Sequence, residues 1–149
     1  MNQYDFQVAA REARIRANTP ASLAAYERSQ KSLAGGVSTA LRRSAKPYPM
    51  FYSHGEGAWI TDLDGNRFID YTLAWGPLIL GHAPAAVNEA VAAQLPKGHT
   101  FGAQHVLEYE AAELLCAAIP CADKVAFANS GTEIVQVALR LARAAAGVA

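Results

Sequence analysis

Apolar and polar positions along the chain change their spacing several times, and each change predicts an element. Thr19-Pro20 marks a helix start, with Thr19 as cap and Pro20 in the first turn. The spacing predicts a helix from Ala21 to about Leu33, stopped by Gly35-Gly36. The first eighteen residues read as a frayed leader or loose helix. Residues 37–50 read as irregular, with Pro47 and Pro49 forcing extended backbone. Two β-rich runs, Ala58-Trp59-Ile60 and Arg67-Phe68-Ile69-Asp70-Tyr71, flank Asp64-Gly65 and predict a hairpin, with short aromatic Phe51-Tyr52 ahead of them.

Beyond Pro84 the period lengthens. A helix is expected to about Leu95, with Val87, Val91 and Leu95 on one face. Another is expected from His105 to Ile119, striped by Leu107, Ala111, Leu114 and Leu115 and ended by Pro120. Lys124 to Ala128 has the length and apolarity of a strand. Gly131 to about Ala146 reads as a helix that is apolar almost all round, marked only by Glu133, Gln136, Arg140 and Arg143, which predicts burial on most sides. Helix, strand, glycine-bearing turn and buried helix in that order predict an α/β fold that begins a mostly parallel sheet.

Composition narrows the function classes. The chain has 149 residues, 52% hydrophobic and 17% charged, which excludes a disordered polypeptide. About a fifth of the residues are alanine, favouring helix. Formal net charge is +0, which argues against a nucleic-acid binder. The balance is uneven: residues 11–46 carry a local +6 and residues 47–149 a local −5. The basic stretch reads as a solvated helix face, or as arginines that meet an anionic substrate. Two cysteines make no disulfide framework and suit a reducing, cytoplasmic setting. The N-terminus lacks the pattern of a signal peptide. Arg11, Arg14 and Arg16 cluster as in a transit peptide, diluted by Asp5 and Glu12. The uncharged stretch from Tyr71 to Asn88 is interrupted by Pro77, Pro84, Gly76 and Gly81, so no membrane span is expected.

The sharpest chemical feature is Asn129-Ser130-Gly131-Thr132-Glu133, where an apolar run turns into a helix. A helix start presents unpaired N–H groups and the positive end of the dipole, which together bind anions, phosphate above all. Gly131 lets a ligand approach the backbone, and Ser130 and Thr132 add hydroxyls. Ser130-x-x-Glu133 is equally a capping box, which satisfies the same groups without a ligand. Neither Gly-x-x-x-x-Gly-Lys-Ser/Thr nor Gly-x-Gly-x-x-Gly is present. Asp62-x-Asp64-Gly65 lacks the further oxygen ligands of a calcium loop and reads as a turn. His82 reads as structural. His54, His99 and His105, and Cys116 with Cys121, have no metal spacing.

Several motifs occur in a specific order over about residues 30–147. They are Gly35-Gly36-Val37-Ser38 with Arg42, Gly57-Ala58-x-x-x-Asp62-x-Asp64-Gly65-Asn66, and Phe68-Ile69-Asp70-Tyr71. Trp75-Gly76-Pro77, Leu80-Gly81-His82-Ala83, Phe101-Gly102-Ala103 and Asn129 to Glu133 follow. In these the chain resembles the N-terminal portion of class III pyridoxal-phosphate-dependent aminotransferases, and within them the glutamate-1-semialdehyde 2,1-aminomutases and their relatives. Ile134 departs from the small residue that often follows Gly-Thr-Glu in the family.

The resemblance implies an incomplete fold-type I transferase. Its segments would be a leader at 1–18, a small-domain segment at 19–74, and a crossing segment with the start of the large cofactor-binding domain at 75–149. It implies pyridoxal 5'-phosphate as cofactor, with Ser130, Gly131 and Thr132 holding its phosphate. Arg42 would pair with a substrate carboxylate, for which a planar guanidinium is suited. Trp75 would wall the substrate pocket, and Ser38 could touch substrate. The substrate would be an amino acid, amino-aldehyde or oxo acid, and the complete enzyme a cytoplasmic homodimer. The family's Schiff-base lysine and the acid that pairs with the pyridine nitrogen have no counterpart here. Lys31, Lys46, Lys97 and Lys124 stand in other contexts. The 149 residues alone are therefore expected to be inactive, and a non-catalytic interaction module is the alternative. Ala144 to Ala149 reads as a truncation point or an altered reading frame.

Overall fold

The computed structural model describes residues 3–148, so Met1, Asn2 and Ala149, the extremes of the expected leader and of the last segment, lie outside the described residues. The chain forms two compact units, one ending at Lys97 and one starting at Gly98.

The first unit opens with helices α1 (Gln3–Asn18) and α2 (Pro20–Ser29). α1 is almost wholly exposed, with Glu12 and Ile15 half-buried. α2 ends at Ser29, four residues short of the expected Leu33, and a turn leads into a 3-10 segment at Ala34–Gly36. Thr19 precedes α2 but does not cap it with its side chain. Its hydroxyl turns back to Ile15 O at 2.7 Å and meets Tyr48 Oη at 2.8 Å. The cap comes from far along the chain. Asp64 accepts from Ala21 N at 2.7 Å and from Ser22 N at 3.1 Å, placing a carboxylate at the positive end of α2.

Asp64 is held in place by its own turn. Strands β1 (Tyr52–Glu56), β2 (Trp59–Asp62) and β3 (Arg67–Ile69) form an antiparallel meander in the order β1-β2-β3. Register pairs Glu56 with Trp59 across the first turn and Thr61 with Arg67 across the second. Asp62, 1% exposed, organises that second turn. Its Oδ1 accepts from Asp64 N at 2.9 Å and Asn66 N at 2.8 Å, and its Oδ2 from Asn66 Nδ2 at 2.8 Å. The Asp-x-Asp-Gly-Asn run is thus a turn, as its spacing predicts, and its second aspartate serves another element.

Where α1, α2 and the segment before β1 meet, Tyr48 is the one large apolar side chain buried among the described residues. Its ring stacks on Tyr26 at 6.3 Å, and the Arg16 guanidinium sits 5.4 Å from its centroid. After β3 the chain passes through a turn at Leu73–Trp75 and ends the unit with α3 (Ala85–Gln94). Val87, Val91 and Leu95 share a face as expected and are all exposed.

The second unit holds α4 (Val106–Ala118) and α5 (Gly131–Ala146). His105 and Glu108 form a reciprocal capping box at the start of α4. Residues 124–128 are not a strand: no described segment pairs with them, and an apolar run becomes a strand only when its N–H and C=O groups find a ladder. The only sheet among the described residues is the antiparallel meander. α5 has the expected bounds but not the expected burial. Among its residues only Ile134 is even half-buried, because no second layer covers its apolar face. Among the described residues no helix is long and apolar enough to cross a membrane.

Candidate functional site

In the first unit, Thr39 caps a 3-10 turn at Ala40–Ser44 by accepting from Leu41 N at 3.3 Å. That turn carries Arg42 and Arg43. Arg42 Nη1 donates to Ser38 Oγ at 3.1 Å, so two residues singled out by the sequence are in direct contact, both exposed. Beside them lies an open pocket of about 410 Å³, lined by Ala34, Gly35, Val37, Ser38, Thr39, Ala40 and Arg43. Arg43, read from sequence only as a neighbour of Arg42, lays its side chain against Gly35 and lines this pocket. Two adjacent arginines give no sequence signal of which one faces a cavity.

Trp75 lies in the same unit at the end of a left-handed turn and is 72% exposed. The loop that carries it is closed at its base by Asp70 and His82, whose Oδ2 and Nε2 are 2.8 Å apart. Asp70 Oδ1 also accepts from Thr72 N at 2.8 Å and Leu73 N at 3.1 Å. The hydrogen bond from His82, then that from Thr72, hold the Asp70 carboxyl below the usual carboxylate range. The sequence does not single out a second open pocket of about 410 Å³, although Asn66 and Phe68 in its lining belong to the ordered motifs. The pocket is walled by Arg14, Ile15, Asn18 and Thr19 on one side and Met50, Tyr52, Asn66, Arg67 and Phe68 on the other. Burial, followed by the charges of Asp70 and Asp62, raises the Tyr52 phenol above its ordinary value.

In the second unit, Ser130 is the N-cap of α5, and its Oγ accepts from Glu133 N at 3.2 Å. The reciprocal half of the expected capping box is displaced by one residue. Glu133 Oε2 takes the N–H of Asn129, at 2.8 Å, instead of that of Ser130. The N–H groups of Gly131 and Thr132 keep no partner among the described residues. A β-carbon on Gly131 would meet nothing within 4 Å, so the helix start is open in front. The result is a cluster of donors at the positive end of a 16-residue helix. Among the described residues no group of three or more His, Cys, Asp or Glu side chains could hold a metal ion.

The Aminotransferase class-III family model matches residues 40–148. The chain is 47% identical over 128 residues to a glutamate-1-semialdehyde 2,1-aminomutase of Chloroflexus aurantiacus, covering 85% of this chain and 29% of that protein. Its structure superposes on an omega-transaminase from Sphaerobacter thermophilus with a TM-score of 0.79 and 40% identity, covering 83% of this chain and 28% of that one. A transaminase solved with PLP bound gives a TM-score of 0.80 at 39% identity, covering 85% of this chain and 30% of that one. The chain thus spans less than a third of the length of the curated relative it matches. The fold is the corresponding part of the α/β, fold-type I transferases. By the extent of the match, the chain belongs to the class-III aminotransferase family.

Proposed function

We propose that the chain supplies the N-terminal portion of a pyridoxal-phosphate-dependent aminotransferase or aminomutase, and that its share of the active site is the cofactor's phosphate anchor and one wall of the substrate pocket. The observation that carries this reading is the start of α5. Two backbone N–H groups without a partner among the described residues, at Gly131 and Thr132, lie in the same helix start as the hydroxyl-bearing Ser130 and Thr132. This all-donor set at a helix N-terminus fits a phosphate dianion. Ser130 Oγ accepts from Glu133 N, which leaves its own O–H to donate. The Glu133 carboxylate, the one anion in the turn, is engaged by Asn129 N–H. When bound, pyridoxal phosphate supplies an aldehyde carbon and an electron-withdrawing ring. This chain's residues hold the phosphate and, through Arg42 oriented by Ser38, a substrate carboxylate, with Trp75 as pocket wall.

In this reading the segments 1–18, 19–74 and 75–149 serve as leader, small-domain segment, and crossing segment with the start of the cofactor domain. The complete enzyme is a cytoplasmic homodimer acting on an amino acid, amino-aldehyde or oxo acid. The isomerase form of the reaction, an amino group shifted within one molecule, is favoured by the 47% identity to an aminomutase. None of Lys31, Lys46, Lys97 and Lys124 matches the family's cofactor-bearing lysine, so the 149-residue polypeptide is inactive by itself. The test is to titrate it with pyridoxal phosphate and with pyridoxal, and to trap each mixture with borohydride. Phosphate-dependent binding without a stoichiometrically labelled lysine is expected. One fully labelled lysine would refute the inactivity, and equal binding of both vitamers would refute the phosphate anchor.

A further inference from the structure

The loop at residues 71–81 buries little side chain, and its internal hydrogen bonds join backbone groups alone: Trp75 N to Thr72 O, Gly76 N and Leu78 N to Leu73 O, and Gly81 N to Leu78 O. Tyr71, Trp75, Ile79 and Leu80 are exposed, and only Leu73, Leu78 and Gly81 are half-buried. Its backbone is nevertheless held in an unfavourable shape. Leu73, Ala74 and Trp75 have φ of 50°, 50° and 70°, a left-handed turn made of three residues that carry a β-carbon. Such a turn persists only where its surroundings impose it. The surroundings here are concentrated at the base of the loop.

Asp70 N donates to Ala58 O at 2.9 Å, which fixes Asp70 to the meander. From there its carboxylate grips both arms of the loop: Thr72 N and Leu73 N on the outgoing arm, His82 Nε2 on the returning one. His82 is fixed in turn. It exchanges both backbone hydrogen bonds with Gly57, at 3.0 and 2.8 Å. Its ring lies so close to Gly55 that a β-carbon there would stand 2.5 Å from His82 Cγ. Gly81, at φ +78°, passes Gly57 with equal closeness: a β-carbon would stand 2.6 Å from Gly57 O. The two glycines let the returning arm lie on the β1–β2 turn.

We propose that Asp70 and His82 form a latch that imposes the left-handed turn and so places Trp75. Both are positioning residues. The latch itself stands on the geometry above; its consequence for substrate rests on the reading of Trp75 as a pocket wall. Limited chymotrypsin digestion of the 149-residue chain tests it, because susceptible residues lie both in the loop (Tyr71, Trp75, Leu78) and on the meander (Tyr52, Trp59, Phe68). Asp70→Ala and His82→Ala are expected to speed cleavage in the loop by roughly tenfold while leaving the meander sites unchanged. His82→Gln keeps an N–H donor at the position of Nε2 and is expected to restore most of the protection. Asp70→Asn keeps an acceptor for Thr72 and Leu73 but not the charge, and is expected to fall between. Three results would overturn the proposal. They are unchanged loop cleavage in Asp70→Ala, acceleration shared equally by the meander, and wild-type loop cleavage as fast as in a free peptide of residues 68–85. The digest reads only the loop, so a failure of the Trp75 reading would leave this pattern intact.

Discussion

Replacing Asp64 tests whether a helix in this chain is stabilised by a residue more than forty positions away. Its carboxylate takes two N–H groups of the first turn of α2 at 2.7 and 3.1 Å. Losing a cap costs about 0.5–2 kcal/mol, and losing a negative charge at a helix N-terminus about 0.3–1 kcal/mol more. Asp64→Ala should therefore destabilise the first unit by about 2 kcal/mol. Asp64→Asn keeps one acceptor oxygen without the charge and should cost about 1 kcal/mol. A unit of this size has a urea dependence of about 1–1.5 kcal/mol per molar, so the alanine variant should shift the midpoint down by about 1.5 M with its slope unchanged. Circular dichroism at 222 nm would follow the transition. If Thr19 were the cap instead, Asp64→Ala would unfold within error of wild type, and that result would refute the assignment.

Other consequences can be checked alongside. Gly81→Ala forces a β-carbon against Gly57 O at a left-handed φ, so it should cost about 1–3 kcal/mol; Gly57→Ala, with open space around it, should cost less in the same urea series. The stability that Asp70 contributes is present above the ordinary carboxylate range and lost as pH falls through its lowered folded value. Melting temperature should therefore fall more steeply in acid for wild type than for Asp70→Asn, and the two curves should converge at the lowest pH. Parallel curves would show that the pairing contributes nothing. Ser130→Ala removes the acceptor of Glu133 N–H and should cost about 1 kcal/mol, seen as fraying of α5 in amide hydrogen exchange at residues 131–134.

Local chemistry was largely readable where the chain satisfies itself within a few residues. The Asp62-x-Asp64-Gly65-Asn66 turn and the Ser130 cap close over two to four positions, and their residue types announce them; the His105–Glu108 box is as local, but histidine is not a residue type that marks a cap. Non-local chemistry was not readable. Thr19 has the right residue type for a cap, yet Tyr48, distant in sequence, takes up its hydroxyl and Asp64 supplies the cap. Residues 124–128 have strand composition but no ladder to join, and α5 has a buried helix's composition but nothing laid over it. At the candidate site, motif order pointed to Arg42 and Ser38, which do meet, whereas the pocket-lining role of Arg43 depends on a side-chain direction that adjacency does not encode.

The remote cap also bears on how the chain is made. α2 is only ten residues long, below the length at which a helix holds itself in water. Its capping carboxylate lies 43 residues after Ala21, so a growing polypeptide contains α2 well before Asp64 is synthesised. At the usual pace of translation that interval is about 2–9 s. For that time α2 is a fluctuating segment, and its completion is timed by the arrival of the meander.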